Sequence, residues 1–112
     1  MRKAMTLMLL SIFTLPAFCA DQIFNNAPIL DVMCSKKMAA NPDAHTKECA
    51  LECKGGGFGI VTNDHKFLKF DSLGNQKILS ELKTSNKQDH LRVDVSGEVQ
   101  GDTLKVKSIK LL

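Results

Sequence analysis

The clearest structural pattern in the chain is a C-terminal β-hairpin, which reads LRVDVSGEVQGDTLKVKSIKL over residues 91–111. Apolar and polar residues alternate over residues 91–95, as expected for a strand with one buried face. A tight turn follows at Gly101-Asp102, and the alternation resumes over residues 104–107. After this turn, the apolar residues occupy even-numbered positions before Ser108 and odd-numbered positions over residues 109–111. This change predicts a β-bulge near Ser108 or the end of pairing there.

Upstream of this hairpin, the order of elements predicts the fold. Short apolar runs indicate three further strands, and helix-start and helix-stop residues indicate two helices. The predicted strands cover residues 29–34, 58–62 and 66–70, and the predicted helices cover residues 41–54 and 73–84. Five short strands with a helix between the third and the fourth are typical of an OB-like Greek-key barrel. We therefore expect a mainly β protein with two helices; a small α+β sheet is the alternative.

The N-terminus has the three zones of a cleavable signal peptide, which we assign to residues 1–20. Arg2 and Lys3 form a positive region, and an apolar run from Met5 to Phe13 follows. This run is too short to span a bilayer as a helix, so we expect no transmembrane segment. The protein should therefore be exported, to the periplasm or the extracellular space.

The rest of the chain is expected to form one domain. Residues 21–28 are polar and should be a flexible lead-in, and residues 29–112 should form a single OB-like domain. We do not expect a lipid anchor at Cys19, because Phe18 is a poor fit to the small residue that such processing requires.

The charge balance bears on the partner. Loss of Arg2 and Lys3 with the signal peptide would reduce the formal net charge from +3 to about +1, and the chain has no Trp or Tyr. Single-stranded nucleic acid is usually bound through a basic groove with stacking aromatic residues. We therefore expect an unknown protein or a small ligand as partner, and no nucleic acid.

Three cysteines and one histidine form the most chemically informative pattern. His45, Cys49 and Cys53 are spaced four residues apart, which on a helix predicts one stripe of neighbouring side chains. Cys34 ends the first predicted strand, so it could contact that stripe if the helix packs against the barrel. These four residues are the candidate site.

A disulfide is the first interpretation of the cysteines, because exported small domains are often crosslinked. Cys34 would pair with Cys49 or Cys53, which would join the helix to the first strand. Cys49 and Cys53 make a poorer pair, because residues four apart on a regular helix present unfavourable geometry. Any single bridge among these three cysteines leaves one thiol unpaired.

A metal site is the alternative. Three thiolates and one imidazole, from Cys34, Cys49, Cys53 and His45, suit zinc or copper. Thiol redox catalysis is a weaker interpretation, since the chain has no C-x2-C motif. An enzyme is therefore the third interpretation, after the disulfide and the metal site.

Several motifs resemble those of a group of small secreted bacterial OB-fold-like proteins. The matching residues are Asp31-Val32-Met33-Cys34, His45, Cys49-Ala50-x2-Cys53, Gly57-x-Gly59-Ile60 and Gly97-Glu98-Val99. The resemblance implies an exported OB-like domain in which the three cysteines and the histidine belong together. It does not extend to residues 35–40, which lack the aromatic residue and glycines that the group carries there.

The sequence thus predicts an exported small binding or stabilising module in which a disulfide ties the cysteine-bearing helix to the first strand. The alternative is a periplasmic zinc- or copper-binding protein.

Overall fold

Five strands and three α-helices make up the described part of the chain, residues 20–112 of a computed structural model. Apart from Ala20, the predicted signal peptide, with Cys19, lies outside these residues. The elements in chain order are β1 (Gln22–Asp31), α1 (Ser35–Met38), α2 (Lys47–Glu52), β2 (Phe58–Val61), β3 (Phe67–Phe70), α3 (Ser72–Thr84), β4 (Arg92–Gln100) and β5 (Thr103–Leu111).

The strands close into a barrel in the order β1-β2-β3-β5-β4, with β4 returning to β1. Neighbouring strands are antiparallel except β3 and β5, which pair in parallel through Lys69–Thr103 and Phe70–Leu104. This order confirms the mainly β, five-stranded OB-like barrel rather than the α+β sheet. The first predicted helix, however, is replaced by shorter elements, which are described with the site.

The C-terminal hairpin follows its predicted pattern. Val93 and Val95 of β4 are buried, as are Leu104 and Val106 of β5. Opposite Ser96 the register shifts, since Ser96 pairs with Ser108 and the next pair skips one residue of β5. The predicted bulge near Ser108 is therefore confirmed.

Helix α3 packs against the barrel, mainly against β5. Its buried residues Ile78 and Leu82 join the core, which also contains Phe58 and Phe70. A Cβ atom on Gly74 would lie 2.5 Å from the Cγ2 atom of Val106, so only glycine allows α3 to approach β5 this closely.

The first strand starts earlier than the sequence predicts. Residues 22–28 were expected to be a flexible lead-in, but they belong to β1 and pair with β4. A bulge between Phe24 and Ala27 interrupts this pairing, and Asn26 has a φ of 53°. Most side chains of this half-strand are exposed, so it lacks the apolar alternation that reveals a strand.

One residue of the turn between β2 and β3 has a backbone conformation that should reduce the stability of the fold. His65 adopts a φ of 62°, in the left-handed region that favours glycine, whereas Asn63 in the same turn does not have a positive φ. We expect His65→Gly to raise the free energy of unfolding by about 1 kcal/mol, because the Cβ penalty is removed. The melting temperature should rise by roughly 4–8 °C in thermal unfolding followed by circular dichroism. Asn63→Gly is the control, and an equal gain there would contradict the conformational explanation.

Candidate functional site

The candidate site lies on the connection between β1 and β2, residues 32–57. This segment runs outside the barrel and buries few of its residues, namely His45, Ala50 and Gly57. It contributes little apolar surface to the core, so its position depends on polar contacts and on contacts between its own ends.

Asp31, the last residue of β1, starts the site. Its side chain is fully buried, with 0% exposure. The Oδ2 atom accepts a hydrogen bond from the Cys34 amide at 3.0 Å, which caps a single 3-10 turn over Val32–Cys34. This cap is favoured because a carboxylate satisfies an otherwise unpaired amide at the start of a turn. Asp31 therefore fixes where Cys34 leaves the barrel.

The second carboxylate oxygen of Asp31 faces His45. Its Oδ1 atom lies 2.6 Å from His45 Nε2, and His45 is only 3% exposed. The two atoms are within hydrogen-bonding distance but off the alignment of a regular hydrogen bond, and neither has another partner. Each therefore depends on the other, because a buried polar atom without a partner is costly.

Helix α2 and the turn that follows it position Cys53. Thr46 caps the helix by accepting a hydrogen bond from the Cys49 amide at 3.2 Å. Cys53 ends the helix, and the chain then makes a 3-10 turn to Gly57, whose φ is 82°. The Val32 amide donates to the Gly57 carbonyl at 2.9 Å. This bond joins the two ends of the connection and brings Cys53 back to Cys34.

These contacts assemble a compact group of three potential metal ligands. One oxygen of Asp31 and the Sγ atoms of Cys34 and Cys53 lie within 4.8 Å of one another. Burial raises the pKa of the Cys34 thiol above 9.0, and the negative charge of Asp31 raises it further. The thiolate form is thus disfavoured here unless a cation compensates its charge.

The structure places the four predicted site residues differently. Cys34 and Cys53 come together, and His45 adjoins them through Asp31. Cys49, by contrast, is exposed and lies outside the ligand group. All three described cysteines are free, and the pair with adjacent sulfurs is Cys34 and Cys53.

The predicted helix over residues 41–54 is present only over Lys47–Glu52, so the predicted single stripe of His45, Cys49 and Cys53 is wrong. A 3-10 turn over Pro42–Ala44 comes first, and His45 is extended, with a φ of −74° and a ψ of 124°. The helix begins only after Thr46, because Thr46 supplies the cap that Asn41 does not. His45 is consequently free to reach Asp31.

Asp31 is the functional candidate that the sequence prediction missed. The sequence predicts a strand over residues 29–34, but that strand ends at Asp31. The spacing Asp-x-x-Cys could have indicated it, since an aspartate three residues before an amide is typical of a capping turn. Its burial could not be predicted, because it depends on the distant His45.

Comparisons with protein-family models, curated proteins and solved structures find no match. Among residues 20–112, no helix has the length and apolar character needed to cross a membrane. The function is therefore inferred from the geometry of the site.

An ion pair beside the site should make the stability of the fold depend on pH. Arg92 on β4 donates from Nε and Nη2 to the two carboxylate oxygens of Asp43, at 3.0 and 2.8 Å. These bonds hold the turn that precedes His45. They also lower the pKa of Asp43 below 3.8, although burial opposes the shift in part.

Replacing Asp43 should therefore cost stability in a pH-dependent way. We expect Asp43→Asn to lower the free energy of unfolding by about 1–3 kcal/mol at pH 7. A lowered folded-state pKa stabilises above the unfolded-state pKa, so this contribution is lost as the pH falls below about 4. Urea unfolding at pH 7 and pH 3 measures the difference. Asp102→Asn, which breaks the exposed pair with Lys69, should change stability by less than about 1 kcal/mol. A pH-independent loss in Asp43→Asn would contradict the explanation.

Proposed function

We propose that the chain is an exported small binding module that holds a zinc ion through Asp31, Cys34 and Cys53. The observation that carries this proposal is the separation of the three ligand atoms, which all lie within 4.8 Å of one another. Neighbouring ligands of a tetrahedral zinc ion are about 3.5–3.8 Å apart, given zinc–sulfur and zinc–oxygen bonds of about 2.3 and 2.1 Å. Small side-chain rotations would close the gap.

The donor set favours zinc over copper. Zinc is a borderline-soft ion that accepts thiolate and carboxylate ligands together, whereas Cu(I) prefers soft sulfur ligands alone. Asp31 contributes a hard oxygen, so the mixed set fits zinc better. Three protein ligands leave a fourth tetrahedral position for water or for a donor atom of a partner.

The surroundings of Asp31 also fit a metal ligand. Two thiolates and a carboxylate place three negative charges close together, and a divalent cation would offset most of that repulsion. His45 would orient the carboxylate from behind, as outer-shell partners commonly do at metal sites.

A structural disulfide between Cys34 and Cys53 is the second candidate role for the site. The adjacent sulfurs favour it, and so does the weak burial of residues 32–57. The bridge would close a loop of about 20 residues and would stabilise the fold by about 3 kcal/mol in the chain-entropy model. Two thiols would lose two protons and two electrons to a disulfide oxidant, as is common for exported proteins.

Two further observations bear on the type of partner. The resemblance to small secreted OB-fold-like proteins supports export, and the partner would be a protein or a small ligand. Phe58 and Phe70 lie in the core and are not available to stack on bases. This burial argues against single-stranded nucleic acid.

Zinc binding by the reduced chain tests the proposal. The chain, purified in the form that the cell produces, is reduced without oxygen and titrated with zinc against a chromophoric chelator. We expect one zinc per chain and loss of this binding in Cys34→Ser and Cys53→Ser. Cys49→Ser is the matched control and should bind as the parent does, because Cys49 lies outside the ligand group. Parent-like zinc affinity in Cys34→Ser or Cys53→Ser would overturn the proposal.

Two further variants test the roles of Asp31 and His45. Asp31→Asn keeps a side chain that can cap the Cys34 amide but removes the charge, so zinc affinity should fall while the fold is kept. His45→Gln should weaken zinc binding by about 10–100-fold, the usual effect of losing an outer-shell partner. Circular dichroism of each variant shows whether it is folded. Unchanged affinity in a folded Asp31→Asn variant would remove Asp31 from the ligand set.

The disulfide is tested by intact mass with and without reduction. A bridge between Cys34 and Cys53 predicts a mass lower by two hydrogens and alkylation of Cys49 without reductant. If the reduced chain binds no zinc and this bridge is present, the structural role is the correct one.

A further inference from the structure

We infer that the zinc site is gated by thiol oxidation: a disulfide compound oxidises Cys34 and Cys53 to a bridge and thereby expels the metal. This inference rests on the proposed function and adds the class of co-reactant that controls it. The module would bind zinc in its reduced state and carry a crosslink in its oxidised state.

The geometry supports this because both states use the same two sulfur atoms. A sulfur within a disulfide is no longer a thiolate ligand, so bridge and metal exclude each other. The sulfurs lie within 4.8 Å, and a bridge requires about 2.05 Å. The backbones are already joined beside them by the bond from the Val32 amide to the Gly57 carbonyl at 2.9 Å. The sulfurs would have to approach each other by less than about 3 Å to form the bridge.

Access to the sulfurs also fits the exchange. Cys34 and Cys53 are both partly exposed, so a small disulfide can reach either one. Asp31 cannot be oxidised in this way, and neither its hydrogen bond from the Cys34 amide nor its contact with His45 involves a sulfur atom. The oxidised site would therefore keep its frame and could bind zinc again after reduction.

The oxidation needs no reactant other than the disulfide compound. One zinc-bound thiolate attacks a disulfide R–S–S–R, which forms a mixed disulfide and releases one thiolate. The second cysteine thiolate attacks the mixed disulfide, forms the Cys34–Cys53 bond and releases the second thiolate. The protein loses two electrons, the disulfide compound gains two, and zinc leaves with its charge unchanged.

Zinc release on oxidation tests the inference. The chain in the form that the cell produces, carrying Cys49→Ser, is loaded with one zinc and treated with glutathione disulfide, while a chromophoric chelator reports free zinc. We expect one zinc released for each Cys34–Cys53 bond in the intact mass, and rebinding after reduction. Retention of zinc in molecules that carry the bond would overturn the inference, as would release through mixed disulfides without that bond.

The parent chain provides a second readout through its third thiol. Bound zinc should slow the alkylation of Cys34 and Cys53 and leave that of Cys49 unchanged, because Cys49 is exposed and outside the group. Equal alkylation rates at Cys34 and Cys53 with and without zinc would contradict the inference. Failure of the reduced chain to load zinc would overturn the proposed function and this inference with it, whereas loading without release would overturn the inference alone.

Discussion

The carboxylate of Asp31 lies fully inside the protein, where an unpaired charge would be strongly destabilising. Both of its oxygens are therefore committed, one to the Cys34 amide and the other to His45. The first contact sets the direction in which the chain leaves the barrel, and the second holds a residue more than ten positions later. Because Asp31 is also the last residue of β1, barrel and candidate site share one side chain.

The connection between β1 and β2 is otherwise weakly attached. Ala50 is its one buried aliphatic side chain, and the ion pair of Asp43 with Arg92 supports it from β4. A crosslink between Cys34 and Cys53, through a metal or through a disulfide, would close this connection at its two ends. The chemistry of the cysteines is thus inseparable from the stability of the segment that carries them.

Local patterns were sufficient to predict most of the barrel. Strands β4 and β5 bury one face each, so their alternation predicts both the pairing and the bulge near Ser108. The exposed half of β1 has no such alternation, and it was assigned to a lead-in for that reason. The site was harder, because the spacing of His45, Cys49 and Cys53 fits a helix but cannot show where the helix begins. The contact of Asp31 with His45 and the bond between Val32 and Gly57 depend on the folded chain.

The parallel pairing of β3 with β5 has a consequence for how the barrel opens. Only two residue pairs, Lys69–Thr103 and Phe70–Leu104, join β3 to β5. Far more residue pairs join β4 to β5. Asp71 reinforces the β3–β5 seam, because the carboxylate that caps α3 also accepts a hydrogen bond from the Val106 amide at 3.2 Å. Amides along this seam should exchange with solvent through partial openings that leave the β4–β5 hairpin paired. The barrel would then open as a curved sheet with β1 at its centre, and the cysteine site on the β1–β2 connection would stay assembled.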